Sequence, residues 1–136
     1  MEYLLVHPGG PLWKNKDIGA WTIPKGEFGP NEDPLTAAQR EVREELGFCP
    51  GGEFLALTPI KQKAGKIVHA WAVESDWDTS TLKSNTFSLA WPPKSGKVQE
   101  FPEIDRAEFF EIGIAKPKIN PAQIPLLEEL GQKLKT

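Results

Sequence analysis

Glu41, Glu44 and Glu45 stand at i, i+3 and i+4 in the run Arg40-Glu41-Val42-Arg43-Glu44-Glu45. On a helix that spacing places their carboxylates on one face. Like charges so placed repel, and each pair costs an isolated helix a few tenths of a kcal/mol. A chain that accepts this cost is usually supplied with a cation from outside. Hard divalent ions such as Mg²⁺ take carboxylate oxygens and bridge them to phosphates. Each residue also has a plainer reading: an acidic helix is most often a solvated face, and Arg40 alone is a surface ion pair of small value.

The helix that would carry these residues is well signalled. Asp33 suits an N-cap, Pro34 the first helical position and Gly47 the left-handed residue beyond the C-terminus. Leu35, Ala38, Val42 and Leu46 recur at helical spacing and predict a core-facing stripe, with the glutamates a quarter turn away.

The surrounding elements follow from apolar runs and breakers. Residues 3–7 predict a strand that Pro8-Gly9-Gly10-Pro11 stops, and residues 20–23 a second short strand. Residues 53–60 and 66–74 read as a hairpin joined by a basic turn. Residues 75–85 read as a loop, 86–91 as a strand, 92–102 as a Pro- and Gly-containing loop, and 106–112 as the last strand. A C-terminal helix over 121–134, capped by Asn120, would bury Ile124, Leu127, Leu130 and Leu134.

The chain has 136 residues and carries no linker, repeat or low-complexity tract, so residues 1–136 read as one domain. Its 39% apolar and 26% charged residues are ordinary for a globular protein. A net charge of −3 gives no reason to expect DNA or an anionic membrane as partner. No apolar run approaches a bilayer span, and the N-terminus lacks the features of a signal peptide. Cys49 is alone, which excludes an internal disulfide and a thiolate metal site. A cytoplasmic location is the expectation.

The residues from Gly26 to Phe48 carry a more specific signal. Gly26, then Glu32, then Arg40-Glu41-Val42, Glu44-Glu45 and Gly47-Phe48 resemble the Nudix box at every defined position. The rest of the chain also looks like a small Nudix hydrolase. The resemblance implies an α+β fold, an α/β/α sandwich with a mixed sheet between helices. It implies an enzyme that uses Mg²⁺ or Mn²⁺ to hydrolyse a pyrophosphate bond in a nucleoside diphosphate linked to another group. By position, Glu41, Glu44 and Glu45 would hold metal, joined by the backbone carbonyl of Lys25. Arg40 would orient the glutamates, and Glu32 would support the loop leading into the helix. The general base would be Glu44, or else a residue of the loop before the last strand, where Glu103 fits the family placement better than Glu100.

Substrate contacts rest on weaker signs. Trp21-Thr22-Ile23-Pro24-Lys25-Gly26 is similar to the lead-in of dinucleoside and diphosphoinositol polyphosphate hydrolases. This favours a nucleotide polyphosphate such as diadenosine tetraphosphate, with a (d)NTP as the alternative. A nucleotide-sensing domain without catalysis and an enzyme acting on a capped RNA end are further readings. Lys25 and Lys63 are candidate phosphate contacts. Trp21, Trp77 and Phe87 are candidates to stack on a base, although large aromatics are more often core. His7 and His69 are expected to pack or line a rim. Relatives usually carry a further strand before the one at residues 3–7. Three readings follow: the sheet is one strand short, a partner chain covers the edge, or the true start lies upstream. An uncovered edge invites pairing, which makes a homodimer one of the expectations.

Overall fold

The computed structural model describes residues 2–24, 31–61 and 67–134. Strand β1, Tyr3–Pro8, lies at the centre and pairs antiparallel with the strand Ile104–Phe110, from Tyr3 opposite Phe110 to His7 opposite Arg106. Alternation along β1 sends its side chains to two faces. On one, Tyr3 and Leu5 pack with Trp21, Ala115, Ile119 and Leu127. On the other, Val6 packs with Leu46, Ile104 and Ala107, with Val42, Trp77 and Leu82 against them. Burying a side chain such as Leu5, which is fully enclosed, stabilises the fold by about 1.5–3 kcal/mol.

Those two clusters define the layers. Helix α1, Pro34–Leu46, covers the Val6 face. Helices α2, Ile112–Lys118, and α3, Ile124–Lys133, cover the Tyr3–Leu5 face. This is the expected α+β sandwich. The strands are less continuous than the expected mixed sheet. In chain order they are β2 Leu55–Ala56, β3 Ile60–Lys61, β4 Ile67–Val68, β5 Trp71–Ala72, β6 Thr86–Ala90, β7 Val98–Pro102 and β8 Ile104–Phe110. They form two-stranded antiparallel ladders β1–β8, β2–β5, β3–β4 and β6–β7. Parallel geometry among the described residues is confined to a bridge between Trp21 and Ile119.

The hairpin expected around residue 63 is present as the nested pairs β2–β5 and β3–β4, and its basic turn, with Lys63, lies outside the described residues. Residues 20–23 make bridges at Trp21 and Thr22 and no longer strand. Three expectations need correction. The stretch 92–102 is not all loop, because Val98–Pro102 pairs with β6. Residues 112–118 form α2 after a strand that ends at Phe110. The C-terminal helix begins with a 3-10 turn at Pro121–Gln123 and buries Leu126 and Leu127, while Leu134 is exposed. No helix among the described residues is long and apolar enough to cross a membrane.

Candidate functional site

Helix α1 begins as its sequence requires. The Asp33 carboxylate accepts the Thr36 N–H at 3.0 Å, and Pro34 occupies the first turn. It ends at Gly47, whose φ of 74° is left-handed and whose N–H reaches the Arg43 carbonyl at 2.8 Å. The open carbonyls of the last turn are then taken by the chain around residue 84. Lys83 N–H donates to the Leu46 carbonyl and Asn85 N–H to the Glu44 carbonyl, both at 3.0 Å.

The buried face of the helix is rotated from the expected stripe. Ala37, Glu45 and Leu46 are buried, whereas Leu35 and Ala38 are only half-covered. Glu45 is therefore part of the docked face, and the glutamates are not equivalent. The Glu45 residue is 8% exposed, while the side chains of Glu41 and Glu44 are 18% and 41% exposed. A buried carboxylate is held by compensating interactions, so Glu45 belongs to the packed face of the helix while Glu41 and Glu44 are more exposed.

Arg40 organises the other acidic groups. Its Nε and Nη2 reach the two oxygens of Glu32, both at 2.9 Å, in a bidentate pair. Its Nη1 reaches Glu41 Oε1 at 2.9 Å and Glu44 Oε2 at 3.4 Å. One guanidinium thus ties the segment before α1 to two carboxylates on successive turns. The bond to Glu32 and the attraction of its charge, followed by the bond to Glu41, raise the Arg40 pKa above its ordinary value. The cation is permanent at any working pH.

The donor set suits a hard divalent cation: carboxylate oxygens alone, two of them already drawn toward a common guanidinium. Among the described residues, no three His, Cys, Asp or Glu side chains close on a common point. Lys25, whose carbonyl is the expected fourth oxygen, lies outside the described residues.

Glu103 is tied to this helix by backbone. Its N–H donates to the Asn85 carbonyl at 2.8 Å, and its carbonyl accepts the Gly9 N–H at 2.9 Å. A relay of main-chain bonds therefore runs from Glu44 through Asn85 and Glu103 to Gly9. Glu100 is elsewhere. It lies within β7 opposite Ser88, on the face of the hairpin away from Phe87 and Phe101, and not in a loop.

Of the expected base-stacking residues, Trp21 is corrected by the structure. It is 1% exposed, its Nε1–H donates to Asp17 at 2.6 Å, and His7 and Phe110 meet it edge-on. It is core. Trp77 is stacked on Phe48 at 5.2 Å between ring centroids and packs against the Val6 cluster. His7 is fully buried between the Asp105 carboxylate and the Lys16 carbonyl, a packing role. Phe87 instead lines an open cleft of about 230 Å³ with Leu89, Glu103 and the turn Pro8-Gly9-Gly10-Pro11-Leu12-Trp13. Sequence reasoning overlooked Leu12 and Trp13. The available signal was an apolar pair directly after a Pro-Gly-Gly-Pro breaker, where burial is hard to achieve.

Comparisons with known proteins identify the family and the fold. A family profile described as NUDIX domain matches residues 2–130. The chain belongs to the Nudix family, and its class of enzyme is the Nudix pyrophosphohydrolase. The crystal structure of a C. elegans Ap4A hydrolase binary complex is similar with a TM-score of 0.63 at 22% identity, over 98% of this chain and 87% of that one. The solution structure of the E. coli ORF135 protein is similar with a TM-score of 0.58 at 26% identity, over 96% of this chain and 80% of that one. No curated protein sequence is significantly similar to the chain.

Proposed function

We propose that the chain hydrolyses a dinucleoside polyphosphate such as diadenosine tetraphosphate, using Mg²⁺ or Mn²⁺ held by Glu41, Glu44, Glu45 and the Lys25 carbonyl. The observation that carries this reading is Arg40 joined at once to Glu32, Glu41 and Glu44. A bound divalent ion supplies charge neutralisation along the phosphate chain and acidifies a water. The protein supplies orientation. Arg40 holds one oxygen of Glu41 and one of Glu44 and leaves their other oxygens for a ligand. Glu45, on the buried face, fixes the inner side of the set. Glu44 is the most water-accessible of the three and is our choice of base, abstracting a proton from the attacking water. Glu103 remains the second candidate, held at a fixed distance from the Glu44 turn by the relay through Asn85.

The preference for a polyphosphate bridge draws on the Trp-Thr-Ile-Pro-Lys-Gly lead-in, with the fold shared with the nematode Ap4A hydrolase as background. Lys25 and Lys63 would add cations along a longer phosphate chain than a triphosphate presents. Glu44→Gln tests the reading. Turnover of diadenosine tetraphosphate with Mg²⁺ should fall by about 10²–10⁴-fold, the usual contribution of a positioned base, with unfolding unchanged. Turnover equal to that of the unaltered protein would refute it.

A further inference from the structure

The cleft between the 8–13 turn and the β6–β7 hairpin is not part of the acidic helix, yet it is joined to it. Glu103 lines the cleft, and the relay Gly9–Glu103–Asn85–Glu44 connects its floor to the last turn of α1, at Glu44. Its walls are apolar and aromatic: Pro8, Pro11, Leu12 and Trp13 on one side, Phe87 and Leu89 on the other. Phe87 is fixed there. A β-carbon added at Gly10, where φ is +98°, would lie 2.8 Å from the Phe87 ring, so turn and ring are in close contact. Phe101 backs Phe87 from the neighbouring strand, with ring centroids 6.0 Å apart.

Trp13 is the unusual member. Leu12 and Trp13 are 59% and 39% exposed, a costly arrangement for an apolar pair unless something covers it. Lys16 Nζ stands 5.0 Å from the centroid of the Trp13 ring, so a cation already occupies one side of that ring. The opening of about 230 Å³ is smaller than the ~300–1,000 Å³ of sites that enclose drug-sized ligands. It suits one planar ring system and not a whole nucleotide.

We propose that this cleft is the nucleobase subsite, with Trp13 and Phe87 as the aromatic walls that stack on the base. The proposal rests on the reading of the substrate as a nucleotide polyphosphate. It makes Trp13 a specificity-determining residue and moves base stacking from Trp21, which is core, to the turn after β1. The base lies at the Glu103 end of the relay, and the phosphates extend from it toward the glutamates of α1.

Calorimetric titration with ATP and with inorganic tripolyphosphate tests this, using the unaltered protein, Trp13→Ala and Trp13→Phe. Base–aromatic stacking predicts that Trp13→Ala weakens ATP by about tenfold or more and tripolyphosphate by less than about twofold. Trp13→Phe should recover most of the loss, because any aromatic face can stack. Equal weakening of both ligands, or unchanged ATP affinity in Trp13→Ala, would overturn the subsite. The hydrolase reading fails separately. Trp13-dependent ATP binding with no turnover of any pyrophosphate would remove the hydrolase and keep the subsite. Turnover with Trp13-independent affinity would do the reverse.

Discussion

Gly47→Ala is a sharp test of how α1 is held. At φ 74° an alanine pays the left-handed penalty, and its β-carbon would lie 2.6 Å from Lys83 Cβ and 2.9 Å from the Lys83 carbonyl oxygen. The first effect costs about 1–2 kcal/mol. The second cannot be relieved by a side-chain rotation, because the carbonyl is backbone. Residue 83 must move, and with it the Lys83 N–H to Leu46 bond, worth another ~0.5–1.5 kcal/mol. The sum is about 1.5–3.5 kcal/mol. At this chain length each kcal/mol moves Tm by roughly 3–4 °C, so a fall of about 5–14 °C is expected by calorimetry. Gly47→Asn separates the causes: asparagine tolerates the left-handed region but keeps the β-carbon, so it should recover only the conformational part. A Tm within about 2 °C of the unaltered protein in Gly47→Ala would refute the close packing at residue 83.

Arg40→Lys keeps the charge and loses the fork that grips Glu32; loss of such an orienting group predicts a fall in kcat of about 10–100-fold, with Tm little changed. Steady-state kinetics at saturating Mg²⁺ would show it. Trp21→Ala should cost about 3–5 kcal/mol in urea unfolding, because the ring is core, whereas a base-stacking surface residue would cost almost nothing. Asp17 has its pKa lowered below the ordinary 3.8, first by the bond from Lys118 and then by that from Trp21. Its contribution to stability is therefore complete above that ordinary value and lost as pH falls through the lower folded value. Asp17→Asn should lower stability at neutral pH and flatten the acid limb of a Tm-against-pH curve.

What the sequence disclosed about α1 was local: a capping Asp33, Pro34 in the first turn and Gly47 at the end each act through their own backbone, and all three do so in the structure. The face that α1 buries was less legible. A helical wheel counts hydrophobicity, and it selected Leu35 and Ala38 over Ala37 and Glu45. Burial of the Glu45 carboxylate cannot be seen by counting apolar residues. Helix α2 was hidden for another reason. It contains Gly113 and Pro117, poor helix residues, and its end is completed by partners distant in sequence. Gly19 N–H donates to the Pro117 carbonyl and Trp21 N–H to the Lys118 carbonyl. Strand β7 reads as polar loop because Val98, Gln99 and Glu100 are exposed and only Phe101 faces inward. Trp21 and Trp13 show the remaining limit. Residue type gave both the capacity to stack, and only packing buries the first and leaves the second open.

Under the proposed function, the glutamates of α1 direct water onto a phosphorus of a nucleotide polyphosphate. Incubation of the protein with diadenosine tetraphosphate and Mg²⁺ in ¹⁸O-water, with products read by mass spectrometry, tests it most directly. AMP and ATP are the expected products, one of them carrying a single ¹⁸O, with loss of nearly all product in Glu44→Gln. Label entering product at an equal rate in Glu44→Gln would contradict it, as would an unaltered protein that leaves the substrate intact.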